Sequence, residues 1–263
     1  MTAHQSKYKT STSRLLVSSL GKRFASNGSP VPVLDDINFD VTGAEFVCIA
    51  GKSGCGKSTL LKILAGFMQP SSGELFIDGR AVSGPGPDRC FVFQEDALFP
   101  WLTVGENIGF GLKQQGIPDR QIHEKVDRFL DLVGLREYES YLPREISGGM
   151  KQRVALARVL ILNPGVLLMD EPFASLDAQT RHEMQRLLLR LWKEFRHTIL
   201  FVTHDLTEAL MLADRILIMD NQPGRIKEIV TVDLPRPRKR DNSDFTRLYR
   251  KLNLLLFGGR ESF

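Results

Sequence analysis

The stretch Gly51-Lys-Ser-Gly-Cys-Gly-Lys57-Ser58-Thr59 decides the fold of this 263-residue chain. It matches the pattern G-x-x-x-x-G-K-[ST], follows an apolar run at residues 45–50 that predicts a buried strand, and precedes a helical pattern at residues 57–65. In such a unit the glycines let the backbone turn tightly, and the amide groups at the helix N-terminus form an anion cradle. The stretch, called the phosphate loop below, therefore predicts a binding site for nucleotide phosphates.

Each residue type of the phosphate loop suggests a role. The glycines allow close approach of the backbone, Lys57 places a positive charge by the β- and γ-phosphates, and Ser58 can ligate Mg²⁺. We expect the positive potential to lower the pKa of the Cys55 thiol, so that alkylation modifies it first unless the loop excludes the reagent. The candidate nucleotide-binding residues are Gly51, Lys52, Ser53, Gly54, Cys55, Gly56, Lys57, Ser58 and Thr59.

A second apolar run, at residues 166–169, ends in two adjacent carboxylates, Asp170 and Glu171. Successive strand residues point to opposite faces, so the two carboxylates cannot share one role. Asp170 is suited to hold Mg²⁺ through water, and Glu171 is suited to polarise the water that attacks the γ-phosphate. Alone, such a pair is often a solvated turn, but downstream of a phosphate loop it predicts a hydrolytic site.

Composition excludes several classes of protein. Hydrophobic residues make up 42% and charged residues 25%, as in ordinary globular proteins. No apolar run approaches the roughly 20 residues that cross a bilayer, and the first 13 residues lack a signal core and are expected to form a mobile tail. Three cysteines, Cys48, Cys55 and Cys90, are too few for a disulfide framework or a zinc site.

Net charge argues against a nucleic-acid partner. The chain carries +4 in total, but residues 236–251 contain seven basic and two acidic side chains. The rest of the chain is therefore close to neutral and lacks the basic body that nucleic-acid binding requires. The basic segment is consistent either with a solvated linker or with contact to anionic lipid headgroups.

Apolar runs and helical spacing predict an α/β architecture. Between Gln94 and Pro164 the strand pattern disappears, and residues 122–133 have the spacing of an amphipathic helix. This pattern predicts a mostly parallel sheet that is interrupted by a helical subdomain at approximately residues 95–163. A last helix is predicted near residues 245–256. The remaining predicted strands are continuous apolar runs, typical of a sheet covered on both faces, at residues 74–77, 89–93, 198–202 and 215–219.

A third motif, Ser147-Gly148-Gly149, precedes a predicted helix at residues 154–162 and would form another anion site. With the phosphate loop before it and Asp170-Glu171 after it, the chain resembles the ATP-binding subunits of ABC transporters over approximately residues 14–234. The resemblance implies a P-loop NTPase fold with a RecA-like core, antiparallel β elements and the inserted helical subdomain. It also implies ATP and Mg²⁺ as ligands, with residues 235–263 as a basic C-terminal extension.

The resemblance implies catalytic and metal-binding roles for individual residues. Gln94 would sense Mg²⁺ and the attacking water, His204 would hydrogen-bond the γ-phosphate, and Glu171 would activate the water. Metal-binding roles fall on Ser58, Gln94 and Asp170.

Further implied roles concern the nucleotide and the dimer. Phe24 would stack on adenine, Ser147, Gly148 and Gly149 would contact the nucleotide of the other subunit, and Asp177 would lie across the dimer interface. The commonest signature is L-S-G-G-Q, whereas this chain has Ile146 and Met150 at the two ends. The serine and glycines that bind phosphate are unchanged.

Three further stretches, at residues 84–89, 94–103 and 233–238, resemble the ATPase subunits of the nitrate, sulfonate and taurine importer group, which includes bicarbonate systems. That resemblance implies a dimer with composite ATP sites, integral-membrane permease subunits and, indirectly, a periplasmic solute-binding protein. It implies a peripheral location on the cytoplasmic face of the inner membrane. It identifies neither the solute nor whether the second ATPase subunit is identical or a related paralogue.

Two interpretations of one apolar stretch and two alternative functions stay open, while a third function is argued against. Phe99-Pro100-Trp101-Leu102 could be core of the helical subdomain or a docking surface for a membrane subunit. A soluble ABC ATPase would usually have two cassettes or a coiled-coil insertion. A P-loop small-molecule kinase is disfavoured by Glu171 and by the Ser147 motif. A regulatory GTPase would want N-K-x-D, which the sequence lacks.

Overall fold

The computed structural model describes residues 13–25, 29–94 and 97–258. The chain divides into two compact units. The first combines the segment up to Gly86 with the segment from Thr198 onward, and the second is Pro87–His197. Of the expected tail, all but Ser13 lies outside the described residues.

The strands of the described residues are, in chain order, β1 (Ser13–Phe24), β2 (Val31–Thr42), β3 (Phe46–Gly51), β4 (Ser72–Ile77), β5 (Arg80–Ala81), β6 (Arg89–Val92), β7 (Val166–Asp170), β8 (Thr198–Thr203), β9 (Arg215–Met219) and β10 (Ile226–Thr231). The α-helices are α1 (Lys57–Leu64), α2 (Val104–Gln114), α3 (Asp119–Val133), α4 (Gly148–Leu160), α5 (Ala178–Phe195), α6 (Leu206–Leu212) and α7 (Ser243–Phe257).

The first unit contains parallel and antiparallel pairing. β3 lies between β8 and β9 and is parallel to both, while β10 runs antiparallel to β9. β3 and β8 are buried along their whole length, which confirms the prediction from their continuous apolar runs. A separate antiparallel sheet joins β1 to β2 and to β4, with the short β5 beyond. The expected antiparallel β elements are therefore confirmed.

The sequence pattern does not predict β1 and β2, for a physical reason. Their pairing contains several register shifts, and Ser19 and Asp36 adopt positive φ values of 45° and 48°. Each irregularity interrupts the alternation of apolar and polar residues, which is the sequence signal of a half-buried strand.

In its described residues, the second unit combines one parallel strand pair, β6 with β7, four α-helices and two short 3-10 helices. Among its described residues between Gln94 and Pro164, the regular elements are helices, as the loss of strand pattern predicted. α4 begins at Gly148, six residues before the predicted start, because the side chain of Ser147 caps it by accepting from the amide of Met150. The compact unit, Pro87–His197, extends beyond the expected helical subdomain on both sides.

The C-terminal extension packs on the first unit. Phe245 and Leu252 of α7 are buried, Lys227 Nζ donates to the carbonyl oxygen of Leu255 at 2.7 Å, and Lys251 pairs with Glu228. The interpretation of this segment as a solvated linker is therefore wrong. Of the helices in the described ranges, none is long and apolar enough to cross a membrane.

Candidate nucleotide site

The phosphate loop joins β3 to α1 in the first unit. Gly54 and Gly56 adopt φ values of 78° and 96°, a region that favours glycine, and Gly56 directly precedes the first residue of α1. A Cβ on Gly56 would lie 2.7 Å from Leu34 Cδ2, and a Cβ on Gly51 would lie 2.6 Å from Cys55 Sγ. These glycines are required by backbone conformation and by close packing, as the motif predicts.

Lys57 is folded back over the phosphate loop. Its side chain is buried, and Nζ donates to the carbonyl oxygens of Gly51 and Lys52 at 2.9 and 3.1 Å. The ammonium group is thus held against the backbone carbonyls of the phosphate loop. Ser58 is exposed and Thr59 half-buried in the first turn of α1, so the loop offers hydroxyl groups beside the positive end of the helix.

Gly224 packs against the backbone of the phosphate loop, a contact that the sequence does not predict. Its amide donates to the carbonyl of Val33 at 2.9 Å, and its carbonyl accepts from the amide of Asp35 at 3.0 Å. A Cβ on Gly224 would lie only 2.1 Å from the carbonyl oxygen of Cys55. The backbone of the loop therefore touches a segment in which only glycine fits.

The expected low pKa of Cys55 is wrong. The side chain is 1% exposed and Sγ packs under the loop against Gly51. Burial raises the pKa of the Cys55 thiol, and the opposing charge of Lys57 is the smaller effect. Burial raises the pKa of Cys48 well above its ordinary value, and burial with nearby Asp88 raises the pKa of Cys90 to about 11.

His204 lies at the same edge of the sheet as the phosphate loop. The parallel register pairs Ala50 of β3 with Thr203 of β8, so the carboxyl ends of the two strands are level. His204 is exposed directly after β8, and Asp205 then caps α6 by accepting from the amides of Thr207 and Glu208. This edge is where open α/β sheets place ligands.

Phe24 and Lys52 occupy other positions in the first unit. Phe24 ends β1 in the antiparallel sheet, is 38% exposed, and lies beneath Lys22, whose Nζ is 5.3 Å from the ring centroid. Exposed Lys52 of the phosphate loop lies 5.6 Å from the ring centroid of Phe257, the last residue of α7. The C-terminal helix thus reaches the loop, a contact that no local sequence pattern indicates.

In the second unit, Gln94, Asp170 and Glu171 gather at the carboxyl ends of β6 and β7. The register pairs Val92 with Met169, and all three residues follow within two positions. Gln94 is exposed, while both carboxylates are half-buried. Glu171 has a φ of 46°, a strained conformation of the kind that concentrates at functional sites.

Gln152 anchors the turn that carries Glu171. It is a buried residue of α4, and its Nε2 donates to the carbonyl oxygen of Pro172 at 2.7 Å. Because Pro172 directly follows Glu171, this bond fixes the strained turn to α4. Gln152 follows the Ser147-Gly148-Gly149 motif by three residues, and the sequence gives no sign of its partner.

The Ser147 motif and Asp177 meet through Thr180. A Cβ on Gly149 would lie 2.6 Å from Thr180 Cγ2. Asp177 caps α5, accepting from the amides of Gln179 and Thr180 and from Thr180 Oγ1 at 2.6 Å. These hydrogen bonds lower the pKa of Asp177 and keep it ionised. Ser147, Gly148 and Asp177 are exposed.

Comparison with known proteins identifies the family of this chain. Residues 34–174 match the family described as ABC transporter. An uncharacterized ABC transporter ATP-binding protein of Methanocaldococcus jannaschii is 48% identical over 243 residues, 92% of this chain and 91% of that protein. The chain belongs to the ABC transporter family. This ABC ATPase therefore binds ATP and hydrolyses it in support of transport, and the kinase and GTPase alternatives are excluded.

Two further relatives of this ABC ATPase serve importers. The aliphatic sulfonates import ATP-binding protein of Bacillus cereus is 44% identical over 244 residues, 92% of this chain and 96% of that one. The nitrate import ATP-binding protein of Synechococcus elongatus is 45% identical over 225 residues, 84% and 82% of the two chains.

A solved dimer of an ATP-binding cassette with ADP and phosphate bound has a similar fold. Its TM-score is 0.73 at 29% identity, and the match covers 84% of this chain and all of that one. The expected α/β P-loop NTPase fold is therefore confirmed for this ABC ATPase.

Proposed function

We propose that the chain powers an importer for a small anion or related solute of the nitrate, sulfonate, taurine or bicarbonate type. The observation that carries the proposal is near-complete alignment with ATPase subunits of two anion importers, at 44% and 45% identity. The two identities are nearly equal, so they support the group without selecting a solute. The ATPase subunit would work from the cytoplasmic face of the inner membrane.

The phosphate loop would bind the phosphates of ATP together with Mg²⁺. The amides of the loop and Lys57 Nζ would bind the phosphates, and Phe24 would stack on adenine. Ser58, Gln94 and Asp170 would hold Mg²⁺, since hydroxyl, amide and carboxylate oxygens are its preferred ligands. When bound, the ion offsets phosphate charge and orients the γ-phosphate.

Hydrolysis would depend on a carboxylate and an imidazole. Glu171 would accept the proton of the attacking water, because its strained turn, tied through Pro172 to Gln152, holds the carboxylate at the end of β7. His204 would donate a hydrogen bond to the γ-phosphate from the edge it shares with the phosphate loop. Both roles are assigned from the family resemblance and supported by these positions.

A dimer would complete each site. Ser147, Gly148 and Gly149 would contact the nucleotide of the partner subunit, and Asp177 would lie at the interface. The exposure of Ser147, Gly148 and Asp177 and the dimeric state of the related cassette support the assignment. The partner is either a second copy of this chain or a related ATPase.

Trp101 would dock the permease. Its side chain is 72% exposed and contacts the ring of half-buried Phe99, which argues against the alternative that Trp101 belongs to the core. Trp101 borders a groove of about 800 Å³ between α2 and α3, with Phe110, Ile122 and Val126 also in its lining. The lining also contains charged residues such as Glu106, Lys113 and Arg136, and an exposed aromatic residue beside apolar and charged side chains is typical of a protein interface.

Reconstitution tests the proposed function. The full chain is assembled with its permease subunits in proteoliposomes, and the periplasmic solute-binding protein is added with nitrate, an alkanesulfonate, taurine or bicarbonate. We expect one of these solutes to stimulate ATP hydrolysis. Stimulation by none of them, in a complex that hydrolyses ATP, would contradict the importer group but not the ATPase activity.

A further inference from the structure

Arg238 of the C-terminal extension is buried beneath the end of α6, the helix that follows His204. It is 7% exposed, and its guanidinium group donates to four main-chain carbonyls. The acceptors, with their distances, are Leu210 (2.6 Å), Ala213 (2.6 Å), Val232 (3.1 Å) and Leu234 (3.0 Å). Burial, and secondarily the charge of Arg236, lower the pKa of Arg238 to about 10, so it remains a cation at neutral pH.

Arg236 also forms a hydrogen bond with the C-terminal end of α6. It donates to the carbonyl oxygen of Leu212, and its Nη1 lies 2.6 Å from Asp214 Oδ1. The other carboxylate oxygen of Asp214 accepts from the amide of Phe46 at 2.9 Å, at the start of β3. The pair, called the arginine clamp below, therefore joins the extension to α6 and to the strand that leads into the phosphate loop.

Helix physics explains why arginines are effective there. The last carbonyls of a helix lack intrahelical partners, and a cation at that end interacts favourably with the helix dipole. A buried cation is costly unless hydrogen bonds satisfy it, and the four carbonyls around Arg238 do so. A planar guanidinium reaches several acceptors at once, whereas lysine presents a compact point charge.

α6 connects the arginine clamp to the edge of the sheet at which the phosphate loop and His204 lie. α6 has seven residues, about 10 Å of helix, and its first turn is capped by Asp205, next to His204. Because so short a helix moves as one body, its anchored end fixes the start of the helix and the adjoining histidine.

We infer that the arginine clamp, Arg236 and Arg238, positions His204 for hydrolysis by holding α6 in place. The inference rests on the proposed role of His204 at the γ-phosphate. The arginines are positioning residues that act through α6, since their guanidinium groups contact the helix end and Asp214.

A double-mutant cycle on the full chain tests the clamp. Arg238→Ala, Arg238→Lys and Arg236→Lys are each made alone and together with His204→Ala. ATP binding and steady-state hydrolysis are measured, with radiolabelled phosphate release to quantify slow variants. We expect kcat to fall about tenfold or more, because a displacement near 1 Å can cost about a hundredfold, while the Kd for ATP stays within about threefold.

Three comparisons and a control separate positioning from general structural damage. In the His204→Ala background the arginine substitutions should cause no further loss, and Arg238→Lys should retain more activity than Arg238→Ala. Native-state hydrogen exchange should be faster in α6 but unchanged in β8. Arg250→Ala, an exposed basic residue of the same extension, is the matched control and should behave as the parent.

The contrary outcomes are distinct. Equal losses in both backgrounds, or parental kcat in Arg238→Lys and Arg236→Lys together with unchanged exchange in α6, would overturn the clamp and leave the role of His204 intact. Parental turnover in His204→Ala alone would refute the role assigned to His204, and the inference would fall with it. If Arg238→Ala does not fold, the two lysine variants carry the test.

Discussion

Replacing Gly224 with alanine tests whether the segment behind the phosphate loop sets the position of that loop. The new Cβ would lie 2.1 Å from the carbonyl oxygen of Cys55, whereas ordinary contact begins at 3.4 Å. The two backbones would have to separate by about 1 Å. Overpacking of this kind costs about 1–3 kcal/mol.

The strain should appear mainly in nucleotide affinity. If the added methyl group displaces the loop, ATP binding must restore the loop to its binding position at a cost of about 1–3 kcal/mol. The Kd for ATP should then rise about five- to 150-fold, since about 1.4 kcal/mol corresponds to a tenfold change in Kd. Isothermal titration of the full chain with ATP, combined with thermal unfolding, measures both quantities. Gly43→Ala is the matched control, because a Cβ there meets no atom within 4 Å.

Two results would refute this reasoning. Parental affinity together with a parental Tm would show that the segment accommodates the methyl group without strain. Parental affinity with a lowered Tm would show that the strain falls on the fold in general and that Gly224 does not set the position of the loop.

Three further predictions concern other positions. Trp101→Ala should leave the Tm within a degree or two and ATP binding unchanged, because the side chain is exposed, but should weaken co-purification with the permease; a large fall in Tm would contradict this. Gln152→Leu should leave the carbonyl of Pro172 unpaired, lower stability by about 1–3 kcal/mol and reduce kcat more than ATP affinity, as followed by unfolding and phosphate release. Maleimide should label Cys90 and Cys55 far more slowly than a free thiol at pH 7, because their raised pKa values favour the unreactive thiol form. The labelling rate of Cys90 should rise about tenfold per pH unit toward its pKa of about 11. Rapid labelling of Cys55 at pH 7, measured by peptide mapping, would contradict the argument that burial raises its pKa.

Sequence reasoning succeeded where the signal is local. The phosphate loop follows from glycine positions within nine residues, and β3 and β8 follow from continuous apolar runs, because strands covered on both faces need them. The apolar pattern predicts the start of α4 six residues too late, because the residues around the capping bond of Ser147 lie outside that pattern.

Sequence reasoning failed for features that depend on contacts between residues far apart in the chain. The sequence shows Lys57 beside Cys55, but the burial that raises the thiol pKa comes from packing. Gly224 is far from the phosphate loop in sequence, so its contact with the loop has no local signature. Arg236 and Arg238 look like members of a solvated basic run, yet at the end of α6 Arg238 is buried and the Arg236 side chain is only 13% exposed.

The most direct test of the central claim is Glu171→Gln in the full chain. The substitution removes the proton acceptor and keeps the shape of the side chain, so we expect near-parental ATP affinity, hydrolysis lowered at least about a hundredfold, and an ATP-bound dimer on gel filtration. Lys57→Ala is the companion variant and should lose affinity for ATP, because its ammonium group belongs to the anion cradle. Turnover of Glu171→Gln close to that of the parent would contradict the account of ATP hydrolysis by this chain.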